Sequence, residues 1–190
     1  MSIYPKHIYQ ISRTAEFSGR YNDENAAGKA VNFVCGSFVR VGLRVDPSTK
    51  GLEEIRYSTN GCGFAIAAAE TIAREFHGAN LTDLHGTTGI SDVIRSHLGV
   101  FPKDREHCLE MGVDAFRAAL ANYRGRVVEE FQGEKALICT CFGIAEEAIV
   151  NLIEEHRITE LSAFSDLSNA GSGCGSCQML IRELIEAPRN

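Results

Sequence analysis

The last third of the chain carries two close cysteine pairs, Cys139-x-Cys141 and Cys174-x-x-Cys177. A thiolate is a soft ligand that selects iron–sulfur clusters, zinc or Cu(I) over hard cations. Two such pairs supply a complete four-thiolate shell. Cys139 and Cys141 would point to opposite faces of an extended chain, so a turn, with Gly143 close by, must bring both sulfurs to one side. Cys174 and Cys177 enclose Gly175 and Ser176 at the spacing of a chelating knuckle that runs into a helix. Gly171, Gly173 and Gly175 let backbone N–H groups approach the sulfurs, which stabilises charge on thiolates. Helix N-termini push the same way.

Three further cysteines bring the total to seven. Cys35 stands in a turn between two strands, Cys62 at the start of one helix, and Cys108, after His107, at the start of another. Helix dipoles are therefore expected to lower the thiol pKa of Cys62 and Cys108. Gly36, Gly61 and Gly63 keep the approaches uncluttered. Three thiolates with one weaker ligand form an incomplete site, suited to a metal or cluster that must later leave. Three thiolates and a histidine also suit zinc. A buried apolar thiol is the bland alternative for any single cysteine.

Composition narrows the class. A length of 190 residues accommodates two small domains, and 44% hydrophobic with 23% charged residues is ordinary for a folded protein. The opening MSIYPKHIYQ has no apolar core of signal-peptide length, and no stretch approaches the roughly 18 apolar residues of a membrane span. A net charge of −6 without any basic run argues against nucleic acid. An odd cysteine count without an export signal points to cytoplasmic thiols used for metal or redox work, not to disulfides.

The fold class expected is α+β: an N-terminal three-stranded antiparallel sheet packed with helices, then a small, mostly helical domain. A short helix is expected around Ile8–Phe17. From Ala30 to Val45 the chain alternates and is β-branched, broken at Cys35-Gly36-Ser37; a turn at Asp46-Pro47-Ser48 leads to a strand near Leu52–Ser58. An Ala-rich helix follows Asn60-Gly61-Cys62-Gly63 and ends near His77. A weaker helix starts after Ser91 as N-cap. Pro102 opens the strongest helix, whose stripe of Leu109, Val113, Phe116, Leu120 and Tyr123 faces the core. A charged run with Gly at each end follows, and we place a linker over 127–135, dividing a domain of 1–126 from one of 136–190. The second domain holds a short apolar run 136–138, a helix bearing Ile149 and Ile153, a helix capped by Thr159, and a last helix bearing Ile181 and Leu184. His7, His77, His85, His97 and His156 read as surface or core residues, and Glu129-Glu130 and Glu154-Glu155 as solvated faces.

The segment from about Lys135 to Ala187, with C-T-C-F-G and G-S-G-C-G-S-C, resembles the 2Fe-2S domain of bacterioferritin-associated ferredoxin, found also as the middle domain of NifU. The resemblance implies that Cys139, Cys141, Cys174 and Cys177 hold a permanent 2Fe-2S cluster; a structural zinc is the competing reading. Upstream, V-C-G-S at 34–37, N-G-C-G-F-A-I-A-A at 60–68 and H-C-L-E-M-G at 107–112 resemble the NifU/IscU scaffold family over roughly Glu24 to Arg126. Carried over by position, Cys35, Cys62 and Cys108 match that family's cluster ligands, His107 the histidine before the last cysteine, and Cys108 the thiol that receives sulfur. Family members usually have Asp where this chain has Ser37, which leaves the fourth ligand open and gives His107 weight. V-F-P-K-D-R-E-H-C lacks the Leu-Pro-Pro-Val-Lys motif offered to a dedicated chaperone. No segment resembles the Nfu-like third domain of NifU.

The resemblance implies an iron–sulfur cluster assembly scaffold, not an enzyme. It builds a transient cluster from Fe(II) and desulfurase-derived sulfur and passes it to apoproteins. Its expected partners are a cysteine desulfurase, apo iron–sulfur proteins, an electron donor and a second copy of itself, with neither nucleic acid nor membrane. The permanent cluster is the expected electron source for reducing persulfide sulfur, and a short tether raises its local concentration to around millimolar. Two alternatives stay open: a ferredoxin-type redox or iron-mobilising protein, and an N-terminal domain that holds zinc.

Overall fold

The computed structural model describes residues 3–81, 83–84, 89–131 and 136–187. The reading of His85 and part of the expected linker lie outside them. The chain divides into two compact units, Met1–Asn80 with Thr87–Tyr123, and Leu81–Gly86 with Arg124–Asn190. Among the described residues no helix is long and apolar enough to cross a membrane.

In the first unit β1 (Ala26–Val31), β2 (Phe38–Val45) and β3 (Leu52–Thr59) form an antiparallel meander in that order. The β-branched alternation of the central strand supports it: Val39, Val41, Leu43 and Val45 of β2 are all buried. Asp46 closes the second hairpin by accepting bonds at one carboxylate oxygen from the Ser48 and Thr49 N–H groups and the Ser48 hydroxyl. Those donors, led by the Ser48 hydroxyl, hold its carboxyl down at about 2.

The Ala-rich α2 (Gly63–Phe76) buries nearly its whole length, including Ala65, Ala67, Ala68 and Ala69. Small side chains let neighbouring backbones approach it closely. The helix also carries a fully buried carboxylate, Glu70, which accepts bonds from the Glu16 and Phe17 N–H groups and pairs with Arg74. It thereby anchors the segment that follows α1 (Lys6–Arg13). That helix is shorter than the one expected, because the chain beyond Thr14 is committed to Glu70 and to β3: Phe17 C=O accepts from Tyr57 N–H.

Helix α3 (Ile90–Leu98) begins one residue before Ser91; Gly89 is its N-cap, so Ser91 does not cap it. A 3-10 turn (Lys103–Arg105) leads into α4 (Glu106–Glu130), whose stripe of Leu109, Val113, Phe116, Leu120 and Tyr123 is buried as its periodicity requires. The helix runs on through Gly125 to Glu130, into the first part of the expected linker. Arg126 pairs with Glu130 at i,i+4 there, which supports the extra turn.

In the second unit β4 (Leu137–Cys139) and β5 (Ile144–Ala145) pair as a small hairpin, which the apolar run alone did not announce. Helices α5 (Glu146–His156), α6 (Leu161–Ser168) and α7 (Gln178–Glu186) follow. Ile149, Ile153, Phe164, Ala170 and Ile181 form one core with Cys139, Cys141 and Cys177. Thr159 does not cap α6; Glu160 holds the N-cap position.

Candidate iron–sulfur sites

The first unit carries its three cysteines on three elements and brings two of them, Cys62 and Cys108, together. Cys62 is the N-cap residue of α2, and Cys108 lies in the first turn of α4. Their sulfurs, 46 residues apart in sequence, stand 3.9 Å apart. A tetrahedral metal with bonds near 2.3 Å to sulfur spaces its thiolates about 3.8 Å apart, so this pair already matches one edge of such a shell. His107 Nε2 lies 3.4 Å from the Cys108 sulfur.

Cys35 sits in the β1–β2 loop, which side chains hold firmly. Asn32 Oδ1 accepts from the Val34 and Cys35 N–H groups, and Gly36 N–H donates back to the Asn32 carbonyl. Asn60 ties this loop to the one that carries Cys62: its Oδ1 accepts from Phe38 N–H and its Nδ2 donates to the Gly36 carbonyl. Gly36 takes φ +70°, a left-handed conformation that suits glycine.

The three thiols differ in environment. The Ser37 hydroxyl, followed by the Ser37 N–H, lowers the pKa of exposed Cys35, and Arg105 adds a smaller push. Burial, followed by the neighbouring Cys62, pushes Cys108 up to about 12. The helix-dipole expectation therefore fails for Cys108: desolvation at the buried first turn outweighs the dipole. Arg105 opposes that rise, since its charge reaches Cys108 as well as Cys35. Sequence reasoning missed Arg105 because nothing in its spacing separates it from a surface cation. It missed Tyr4 too, whose hydroxyl accepts a bond from Gly63 N–H at 3.2 Å. Tyr4 and Arg105 line, with Cys62, Phe64 and Pro102, a cleft of about 350 Å³. His97 Nε2 stands 3.0 Å from a Glu75 carboxylate oxygen.

In the second unit the cysteines come from the β4–β5 hairpin and the glycine-rich loop before α7. Cys141 lies 3.5 Å from Cys174, and the acidity of Cys139 responds to both Cys141 and Cys177. The Cys141 thiol, helped by Phe142 N–H, lowers the Cys139 pKa despite its burial. Cys139, Cys141 and Cys177 are buried, while Cys174 faces outward with its sulfur 3.3 Å from the Ser176 hydroxyl. A Cβ on Gly173 would lie 3.0 Å from the Cys141 sulfur and 3.2 Å from the Phe142 ring. Gly143, Gly171 and Gly175 all take positive φ. Gln178 Nε2 donates to the Gly171 carbonyl at 2.7 Å and so closes the loop. Four soft donors beside a glycine loop that is tightly packed at Gly171 and Gly173 fit a four-thiolate cluster. Among the described residues no group of three or more His, Cys, Asp or Glu side chains is drawn together as a cage for a metal ion; the contacts are pairwise.

Residues 3–130 match the family described as NifU-like N terminal domain, two thirds of the chain. The chain belongs to that family. Residues 137–187 of this NifU-like chain match the BFD-like 2Fe-2S binding domain. The chain is 30% identical over 173 residues to the nitrogen fixation protein NifU of Nostoc sp., covering 90% of this chain and 57% of that protein. It is 31% identical over 183 residues to NifU of Azotobacter chroococcum, covering 96% and 58%. The chain thus spans somewhat more than half the length of these relatives. The crystal structure of a nitrogen-fixing NifU-like protein (N-terminal) from Brucella abortus shares the fold, with a TM-score of 0.53 at 18% identity over 65% of this chain and 96% of that one.

Proposed function

We propose that this NifU-like chain is an iron–sulfur cluster assembly scaffold. Its first unit binds Fe(II) and sulfur as cargo, and its second unit holds a resident 2Fe-2S cluster. The observation that carries the reading is the contrast between the two thiol sets. The first pairs Cys62 with Cys108 at 3.9 Å and leaves Cys35 on an exposed loop. The second sets Cys141 3.5 Å from Cys174, with Cys139 acted on by Cys141 and Cys177, beside a loop of glycines.

In this reading Cys35, Cys62 and Cys108 ligate the cargo, with His107 the candidate fourth ligand. Ser37 supports Cys35 as a hydrogen-bond donor, a role a neutral hydroxyl fills better than that of ligand. Sulfur arrives from a cysteine desulfurase, with Cys108 the candidate persulfide acceptor. In this reading the site is a carrier of cargo.

In the second unit Cys139, Cys141, Cys174 and Cys177 would hold the resident group, which supplies one electron at a time when bound. The buried core of Ile149, Phe164 and Ile181 shields Cys139, Cys141 and Cys177 from water, and Gln178 fixes the loop that carries Cys174 and Cys177.

Anaerobic protein should contain about two irons at the second site. Incubation with Fe(II), cysteine and a desulfurase should add iron that an apo-ferredoxin can remove. Mössbauer spectra before and after follow both pools, and metal analysis reports zinc. Cys62→Ala should abolish the transferable pool and leave the resident one. A wild-type protein that gains no transferable iron would remove the scaffold reading.

A further inference from the structure

We propose that the cleft beside Cys62 binds a small thiol bearing both a carboxylate and an ammonium group, the chemistry shared by free cysteine and glutathione. Its sulfur completes the ligand set of the metal held by Cys35, Cys62 and Cys108. The inference rests on the reading of the first unit as a metal carrier. Its ground is an incomplete shell beside a built cleft. Ser37 is spent as a hydrogen-bond donor to Cys35, which leaves the fourth place to His107. A soft metal on three thiolates gains from a fourth.

The cleft has the make-up of a small-molecule site. Its volume of about 350 Å³ falls in the range of roughly 300–1,000 Å³ that such sites occupy. Aromatic rings form its walls. Tyr4 and Phe64 meet edge to face at 5.2 Å, and Phe64 meets Phe101 in the same way at 5.4 Å. Gly63 N–H fixes Tyr4 by donating to its hydroxyl, and Phe64 and Phe101 are buried. These walls stand before any ligand arrives.

The polar groups of the cleft match a zwitterion. Asp104 and Arg105 line it together with Cys62. Arg105 lays its guanidinium over the Phe64 ring, 5.9 Å from the centroid, and its Nε lies 3.3 Å from Asp104 Oδ2. Among the described residues its two terminal nitrogens have no hydrogen-bond partner. They form the fork that grips a carboxylate from one side. Asp104, largely exposed, supplies the matching anion for an ammonium group. The charge of Arg105 also reaches Cys35 and Cys108, so this cation is a neighbour of the thiol set as well as of the cleft. Cys62 is itself part of the cleft wall, and a metal bonded to it borders the space the ligand fills. On binding, the incoming thiol releases its proton to solvent and a metal–sulfur bond forms. The His107 nitrogen, or a solvent oxygen, leaves the metal in exchange. No electrons move.

The test uses the full chain with its second site iron-loaded and one equivalent of Zn²⁺ at the first. X-ray absorption at the zinc edge reads that shell apart from the cluster iron, and equilibrium dialysis of radiolabelled cysteine and glutathione reads binding. Wild type should take up one labelled thiol per first site, and the zinc shell should pass from three sulfurs to four. Serine, with both charges and no thiol, and mercaptoethanol, a thiol with neither charge, should each bind at least roughly tenfold more weakly. Arg105→Gln should weaken cysteine binding roughly tenfold, the effect of losing one charge-assisted hydrogen bond, and Arg105→Lys should lose less. Neither should alter the affinity for mercaptoethanol, which separates recognition from misfolding. Asp104→Asn should weaken cysteine but not mercaptopropionate, which lacks the ammonium group. Tighter binding of cysteine or of glutathione supports the assignment and identifies the source. Equal affinity for cysteine and mercaptoethanol overturns it, as does a zinc shell that keeps three sulfurs at millimolar cysteine. Both of those outcomes spare the scaffold reading. Zinc that binds the first unit without Cys35, Cys62 and Cys108 overturns both.

Discussion

Gly28 in β1 lies so close to Ala119 in α4 that a Cβ on the glycine would stand 2.2 Å from the Ala119 nitrogen. The Ala115 carbonyl oxygen would be only 2.4 Å away. Both obstacles are backbone, which cannot rotate aside. The helix that carries Cys108 is therefore seated on the sheet by the absence of a side chain. Gly28→Ala should cost about 1–3 kcal/mol or more, the range for overpacking a core. The midpoint of thermal unfolding should fall by roughly 2–4 °C per kcal/mol. Calorimetry of the two proteins decides it, and an unchanged midpoint would mean that α4 is not held this way.

Glu70 is a second buried determinant of the first unit. Its two oxygens accept the Glu16 and Phe17 N–H groups, and Arg74 pairs with one of them. Glu70→Ala leaves both amides without acceptors, at about 1–3 kcal/mol for each unsatisfied group. Glu70→Gln keeps one acceptor oxygen and should lose less. Amide exchange should locate the loss at residues 16 and 17 before any global unfolding, whereas uniform loss of protection would contradict a local clasp.

Much of this architecture is legible in the sequence, for physical reasons that also mark where legibility ends. The meander and the α4 stripe are periodic, and period is what burial of one face imposes. Cys174-x-x-Cys177 is local, so its chelating spacing could be read from the sequence, whereas the approach of Cys174 to Cys141, 33 residues earlier, could not. Gly28 could be read only as a strand residue, because close approach to a helix 91 residues later leaves no local trace. Gly125 looked like a boundary, yet nothing lies within 4 Å of a Cβ placed there and the helix passes through it. Cys108 misled in a different way. Its place in the first helical turn was correctly expected, but burial, a tertiary property, reversed the expected direction of its acidity.

That reversal has a consequence for metal binding. With its thiol pushed up to about 12, Cys108 is protonated at neutral pH and must lose a proton to ligate a metal. Affinity at the first site should therefore rise with pH, by up to roughly tenfold per unit for each proton released. Zn²⁺ titration of protein with an iron-loaded second site, in two buffers of different ionisation enthalpy, counts the protons. Cys108→Ala should remove one of them and flatten the slope between pH 6 and 9. An equal proton count in both proteins would show that Cys108 is not a ligand.

Gly173 offers the corresponding test of the second site. A methyl group there would press on the Cys141 sulfur at 3.0 Å, on its Cβ at 3.1 Å and on the Phe142 ring at 3.2 Å. Cys141 cannot yield without leaving Cys174, its neighbour at 3.5 Å. Gly173→Ala should therefore weaken cluster retention while the first unit, whose core contains none of these residues, keeps its stability. The expected record is less iron and a weaker visible absorbance after anaerobic reconstitution, with the wild-type unfolding transition of the first unit intact. Gly175 makes the comparison sharper. A Cβ there meets only the far end of the Gln178 side chain, no closer than 3.7 Å, but its φ of +76° penalises alanine by conformation instead of contact. Gly175→Asn, a residue that tolerates this backbone region, should keep most of the cluster, whereas Gly173→Asn should lose it. Equal retention by the two asparagine variants would show that the Gly173 contact with Cys141 does not shape the site.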